Sequence, residues 1–355
     1  MTDRLGRLVK GLRYLHGPRL LLVSGLAFVV LALVIAFGVY RMALAPVRPG
    51  SADSEIVAVP YGHSTTQIAD LLETKGLIRS ARAFRRWTVV SGTSGSLHAG
   101  EYTISYGMST PQIVARMARG QVVLHPITIP EGYNAAQIAA LLEQRGFADQ
   151  ARFHEALRSA ANSGLLPAGF ASSRPAQVRF PLEGYLFPDT YHVYRGITEG
   201  ELVRIMVGRF KAAMSPALEE RARELKLTPS QVITLASIIE REARAPEERP
   251  VISGVFHNRL RIGMKLDADP TVRYAMPDPT RPITSKELAI DSPYNTYVNA
   301  GLPPGPICSP GLASIEAALY PAQVNYLYFV AKPDGTHAFS RTFAEHLRNV
   351  ALYIK

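Results

Sequence analysis

The chain has 355 residues, 47% of them hydrophobic, with a formal charge of +10, enough apolar material for a packed core and two domains beyond a membrane segment, so a disordered chain is excluded. Residues 1–40 hold five Arg or Lys and one Asp, which leaves +6 spread over the other 315 residues. No dense basic run interleaved with aromatics occurs, so nucleic acid is a poor partner and an anionic polymer a better one. Cys308 is the single cysteine, which rules out an intramolecular disulfide or a multi-thiolate metal site.

A basic tail at residues 1–19 precedes residues 20–40, LLLVSGLAFVVLALVIAFGVY, 21 residues without a charge. That is the length of a bilayer-spanning helix. Arg4, Arg7, Lys10, Arg13 and Arg19 lie before it, against Arg41 and Arg48 after it, so the N-terminus is expected in the cytoplasm and the remainder outside. A cleaved signal peptide is the alternative, with Ala43, Leu44 and Ala45 as a small-residue site, but the apolar run exceeds the usual signal length and Pro46 would follow the scissile bond. Residues 41–55, rich in Pro, Gly, Ser and Asp, read as a linker.

A repeat follows. Residues 57–81 (VAVPYGHSTTQIADLLETKGLIRSA) align without gaps on 127–151 (ITIPEGYNAAQIAALLEQRGFADQA) at an offset of 70, with ten of 25 positions identical. Each copy reads as a strand, a Pro-x-Gly turn, an amphipathic helix stopped by Gly76 or Gly146, and the start of a second helix. In the first copy, a strand at 100–105 and a helix at 110–119 complete a module spanning 56–126. Such β-α-α-β units resemble the LysM module, which binds N-acetylglucosamine polymers; a rigid stalk is the plainer alternative.

Residues 180–194, FPLEGYLFPDTYHVY, combine aromatics with Glu183 and Asp189 and read as core rather than as a sugar platform. Residues 228–243, TPSQVITLASIIEREA, form a well-marked helix, with Thr228 as cap, Pro229 in the first turn and Gln231 three residues on. Val232, Ile233, Leu235, Ala236, Ile238, Ile239 and Ala243 make a broad apolar face, into which Glu240 falls. Burial and the last helical turn both disfavour a charged carboxyl there, which suits a general acid. A structural pairing with Arg241 or Arg244 is the competing reading. Glu242 also lies in the apolar arc, pointing about 160° away, and periodicity does not choose between the two. A second helix covers 251–262. Residues 263–310 then hold nine prolines and few helix signals, a loop long enough to line a site. A helix at 312–319, a hairpin of 325–331 with 337–341, and a helix from Thr342 end the chain.

No P-loop, dinucleotide fingerprint, Gly-x-Ser-x-Gly elbow or His-Glu-x-x-His pair occurs, so no cofactor or metal is expected. Carboxylates remain, Glu240, Glu242, Asp267 and Asp269, with Asn258, Asn295, Tyr294 and Tyr297 as amides and rings of the kind carbohydrate sites use. The segments ASIIEREA, FHNRLRIGMKLDADPTVRYA, SPYNTYVNAGLPPGPICSPG and LEGYLFPDTY closely resemble signature blocks of the YceG-like family of endolytic murein transglycosylases. The resemblance covers nearly the whole chain.

It implies an α+β fold with a single transmembrane helix, a LysM-like module and a catalytic domain at 127–355 that begins with the second repeat. It also implies that Glu240 is catalytic, and that Asn258, Asp269, Tyr294, Asn295 and Tyr297 bind substrate. The implied reaction is non-hydrolytic cleavage of the β-1,4 bond after N-acetylmuramic acid, leaving a 1,6-anhydro end. Peptidoglycan strands, the inner membrane and peptidoglycan synthases (penicillin-binding proteins) are the implied partners, with the catalytic domain in the periplasm. A two-carboxylate hydrolase using Asp267 or Asp269, and a wall-binding scaffold without activity, are the rival classes.

Overall fold

The computed structural model describes residues 3–166, 169–170 and 177–354, with the side chains of the first helix described from Val23 onward. Helices and strands are mixed, and the chain divides into two compact units, Met1–Leu124 with Tyr194–Gly196, and His125–Val193 with Ile197–Lys355.

The first unit starts with α1 (Asp3–Leu44), within which Val23–Leu44 is a stretch of 22 residues with mean hydropathy 2.5. By length and composition this stretch is able to cross a membrane. Leu26, Phe28, Leu33 and Phe37 all stand exposed on it. Strand β1 (Ser54–Val59), helices α2 (Thr65–Thr74) and α3 (Ala81–Val90), and strand β2 (Gly100–Ser105) follow in β-α-α-β order, and α4 (Thr110–Ala118) completes the unit. β1 begins inside the stretch read as linker because Ser54 already pairs with Ser105. The two strands run antiparallel and turn Val57, Val59, Tyr102 and Ile104 inward onto Ile68, Leu72, Phe84 and Ile113, the period-2 alternation of a sheet with one covered face.

In the second unit β3 (His125–Thr128), α5 (Ala135–Gln144), α6 (Gln150–Asn162) and β4 (Thr190–Val193) repeat that order. Ile127 faces Tyr191 across the antiparallel pair, as Val57 faces Tyr102 in the first copy. Gly62 and Gly132 have φ of 81° and 75°, and Gly76 and Gly146 have 65° and 71°. These left-handed values are why glycine recurs at both turns of the repeat.

The rest of the unit is α7 (Glu199–Ala213), α8 (Pro216–Glu224), α9 (Pro229–Glu242), α10 (Arg249–Arg261), α11 (Asp269–Ala275), α12 (Ser285–Leu288), α13 (Leu312–Leu319), a hairpin of β5 (Tyr328–Ala331) and β6 (His337–Ser340), and α14 (Phe343–Tyr353). Helix α9 is the centre of this unit, with α8, α10, α11 and α13 against it. Its start is the one read from sequence: Thr228 and Gln231 form a capping box and Pro229 opens the helix.

Its burial differs from the sequence expectation, because residues 232–239 are enclosed on all sides rather than along one face, Thr234 and Ser237 included. Both hydroxyls turn back onto their own helix, Thr234 Oγ1 donating to Ser230 O at 2.8 Å and Ser237 Oγ to Thr234 O at 2.7 Å, so polar residues enter the core without loss of partners. Val232, Ile233, Leu235, Ile238 and Ile239 are fully buried, each contributing about 1.5–3 kcal/mol. The 263–310 segment is also more ordered than its prolines suggest. Pro270 occupies the first turn of α11, and a Thr284–Glu287 capping box starts α12.

Candidate active site

Glu240 lies in the last turn of α9, and its side chain is only 8% exposed. The backbone N–H of Gly311 donates to its Oε2 at 3.1 Å, and Arg249 Nη2 stands 3.7 Å from Oε1. The partner is thus Arg249, at the start of α10, rather than Arg241 or Arg244. Arg249 is itself fixed by Ser314 Oγ on α13, 3.1 Å from its Nε.

A second carboxyl, Glu131, shares this corner. It sits in the Pro-x-Gly turn of the second repeat, which is joined to the 301–311 loop by Gly132 N to Ser309 O at 2.9 Å and Ser309 N to Tyr133 O at 2.8 Å. That loop is tied to α9 in turn, since Ile307 N donates to Ser237 Oγ at 3.0 Å. A Cβ placed on Gly311 would stand 1.9 Å from Glu131 Oε1, so the carboxylate rests against the bare Cα of the residue whose N–H holds Glu240. Glu131 keeps solvent exposure; partial desolvation first, and the charge of Glu240 second, raise its carboxyl from the ordinary value, with Arg249 opposing. Cys308 beside them is buried and its thiol is pushed up by burial, which makes it unreactive.

Glu242 serves a different place. It lines a cavity of about 430 Å³ with Arg259, Asp267, Asp269, Tyr297 and Tyr328, and burial, then the charge of Asp269, push its carboxyl up to about 8 against Arg259 and Arg244. Tyr297 OH donates to Asp269 Oδ1 at 2.6 Å, and Arg259 Nη1 to Asp267 Oδ2 at 3.2 Å. Asp267 and Asp269 therefore gather with Glu242, and the carboxyl beside Glu240 is Glu131.

Of the other residues singled out from sequence, Asn258 spends its amide on Val324 O and Tyr326 O at 2.8 and 3.0 Å, and its Oδ1 accepts from Arg261. Asn295 is fully buried, with Nδ2 on Leu288 O and Ile290 O at 2.9 Å each and Oδ1 accepting from Tyr297 N. Tyr294 is buried with its ring 4.8 Å from that of Tyr274. Asp269 and Tyr297 keep solvent exposure. Sequence reasoning missed Glu131, Arg249 and Gly311. The repeat marks the place of the first: at the same position in the turn the first copy has Tyr61 and the second has Glu131, both exposed, and the second stands beside Glu240.

A further cavity of about 480 Å³ is lined by Gly132, Arg179, Phe180, Arg241, Arg273 and Tyr274 among others. Gly132 connects it to the carboxyl corner, because a Cβ there would stand 3.7 Å from Glu240 Cγ. Chemically, the corner offers a proton donor or acceptor in Glu240, a second carboxyl, and a cation to steady either when charged.

Residues 57–352 match the YceG-like family. The chain is 34% identical over 326 residues to the endolytic murein transglycosylase of Bacillus subtilis strain 168, covering 90% of each. It is 31% identical over 362 residues to the endolytic murein transglycosylase of Streptococcus pneumoniae serotype 2, covering 94% of this chain and 65% of that protein. The crystal structure of a YceG-like protein of Listeria monocytogenes superposes with a TM-score of 0.59 at 34% identity, over 84% of this chain and 99% of that one. With the match running through both repeats and the α9 corner, the chain belongs to the YceG-like family.

Proposed function

We propose that this protein is an endolytic lytic transglycosylase of peptidoglycan, with Glu240 as its acid and base. The observation that carries the reading is the corner in which Gly311 N–H and Arg249 hold the Glu240 carboxyl beside Glu131, in a chain whose relatives are named endolytic murein transglycosylases. Protonated Glu240 gives its proton to the glycosidic oxygen between N-acetylmuramic acid and N-acetylglucosamine. The resulting carboxylate takes the proton of the muramoyl C6 hydroxyl, which closes on C1 as the 1,6-anhydro end. No water is consumed. Arg249 steadies the carboxylate form between the two transfers, and Glu131, when charged, opposes the positive charge that builds at C1. Asp269 and Tyr297 contact sugar at the far cavity, while Asn258, Tyr294 and Asn295 support the loops that shape the cleft.

The second carboxyl also fits a hydrolase, in which Glu131 would act as base or nucleophile. Mass analysis of strand ends released by the purified protein separates the two. Anhydro ends, lighter by one water, support the transglycosylase; reducing ends would establish hydrolysis, and absence of cleavage would leave a wall-binding scaffold.

The apolar stretch of α1 anchors the chain in the plasma membrane with its basic tail inside. Cleavage then falls on newly made strands close to the bilayer, where it terminates elongation beside the penicillin-binding proteins that polymerise them. The first β-α-α-β unit, LysM-like in order, holds the strand.

A further inference from the structure

The cavity joined to the Glu240 corner carries charge that the mechanism above does not use. Arg179, Arg241 and Arg273 all line it. Each guanidinium has five donors, and the acceptors they meet are neutral carbonyls: Arg179 on Tyr274 O at 2.6 Å, Arg241 on Gly132 O at 3.4 Å, and Arg273 on Pro279 O and Arg281 O at 2.7 and 3.2 Å. Among the described residues no carboxylate forms a contact ion pair with any of the three, and Arg179 acts on a neighbouring acid, the buried Glu183. Arg179 Cζ also lies over the rings of Phe180 and Tyr274, 5.7 and 5.4 Å from their centroids. A cavity of about 480 Å³ is within the range that encloses a small ligand.

Three guanidinium groups without a contact ion pair, lining one partly apolar cavity beside the reacting corner, select an anion with an apolar body. A peptidoglycan strand offers such a group in one place. Its sugars are uncharged, and its carboxylates belong to the stem peptide that each muramoyl residue carries.

We propose that this cavity is a subsite for the stem peptide and that its arginines grip the peptide carboxylates. The inference rests on the function proposed above for the identity of the substrate.

Two measurements test it. Calorimetry with muramoyl pentapeptide, and with the same compound after its carboxylates are converted to amides, reads the grip without any cleavage. Binding is expected to weaken at least tenfold on amidation. In Arg241→Gln and Arg273→Gln, each shown to melt like the parent, that discrimination is expected to shrink to less than threefold. Equal binding of the two compounds by the parent protein, or full discrimination by both variants, would overturn the subsite. The second measurement compares cleavage of peptide-bearing strands before and after the same amidation, with the loss expected in KM rather than kcat. Arginine-dependent binding without cleavage of any strand would refute the proposed function and leave the subsite standing. Cleavage that ignores amidation would do the reverse.

Discussion

Replacing Gly311 with alanine probes the carboxyl corner without touching either carboxyl. Gly311 has φ of −72° and ψ of 166°, a conformation alanine adopts without strain, so the backbone gives no reason for harm. The added methyl would stand 1.9 Å from Glu131 Oε1 and 2.3 Å from its Cδ, where contacts below 3.0 Å do not persist. The Glu131 carboxylate must therefore retreat by about 1 Å, and a misplacement of that size costs on the order of 10²-fold in rate. The clash falls on the free end of a long side chain, so stability should change by less than about 1 kcal/mol. The assay is kcat for release of soluble fragments from purified strands, beside a thermal melt. A second variant isolates the cause: Gly311→Ala combined with Glu131→Ala should be no slower than Glu131→Ala alone, because the methyl then has nothing to displace. Full activity in Gly311→Ala would show that Glu131 has no bearing on catalysis, and slowing that persists unchanged on top of Glu131→Ala would move the cause elsewhere.

Burial lifts the carboxyl of Glu183, which accepts from Ala135 N and Tyr274 OH, from 4.5 to about 7. Between those values the folded chain keeps a proton that the unfolded chain releases, so stability falls as pH rises through that window and levels off above it, by about 3 kcal/mol in total; Glu183→Gln should remove that part of the slope in urea titrations from pH 4 to 8. Gly184 has φ of 86°, and a Cβ there would stand 2.5 Å from Pro306 Cβ and Cγ, so Gly184→Ala should lose about 2–4 kcal/mol in denaturant unfolding, and a loss below 0.5 kcal/mol would contradict the packing. In sealed spheroplasts, protease added outside should digest everything beyond α1, whereas protection of that part would reverse the proposed topology.

Local signals carried many elements. The α9 start, the strand-turn-helix order of both repeats, the 312–319 helix and the helix from Thr342 were legible, because capping boxes and left-handed glycines act over a few residues; the strand at Thr190–Val193 that closes the second repeat antiparallel was not. The enclosure of α9 was not, since a helix period cannot show that α8, α10, α11 and α13 cover the faces holding Thr234 and Ser237. Two carboxyls two residues apart are equivalent by helix period, and it was the family resemblance that favoured Glu240; their tertiary neighbours differ, Gly311, Arg249 and Glu131 for Glu240, and Asp269, Arg259 and Arg244 for Glu242. Glu131 lies 109 positions before Glu240 in the chain, a separation no local pattern spans. Asn258 and Asn295, singled out from sequence as sugar ligands, place their amide nitrogens on backbone carbonyls of neighbouring segments, a use that residue type alone does not reveal.

The most direct test compares Glu240→Gln with Glu242→Gln on purified glycan strands, with released ends identified by mass. Glutamine keeps the shape of Glu240 and can still accept from Gly311 N–H, but it can neither give the proton to the leaving oxygen nor take one from the C6 hydroxyl. One group performs both transfers, so activity should fall by at least about 10² to 10⁴-fold, with the melting temperature unchanged or raised. Glu242→Gln, in its separate cavity, should cut at a rate within a few fold of the parent and leave anhydro ends. An inactive Glu242 variant beside a Glu240 variant that still releases anhydro ends at near the parent rate would contradict the account.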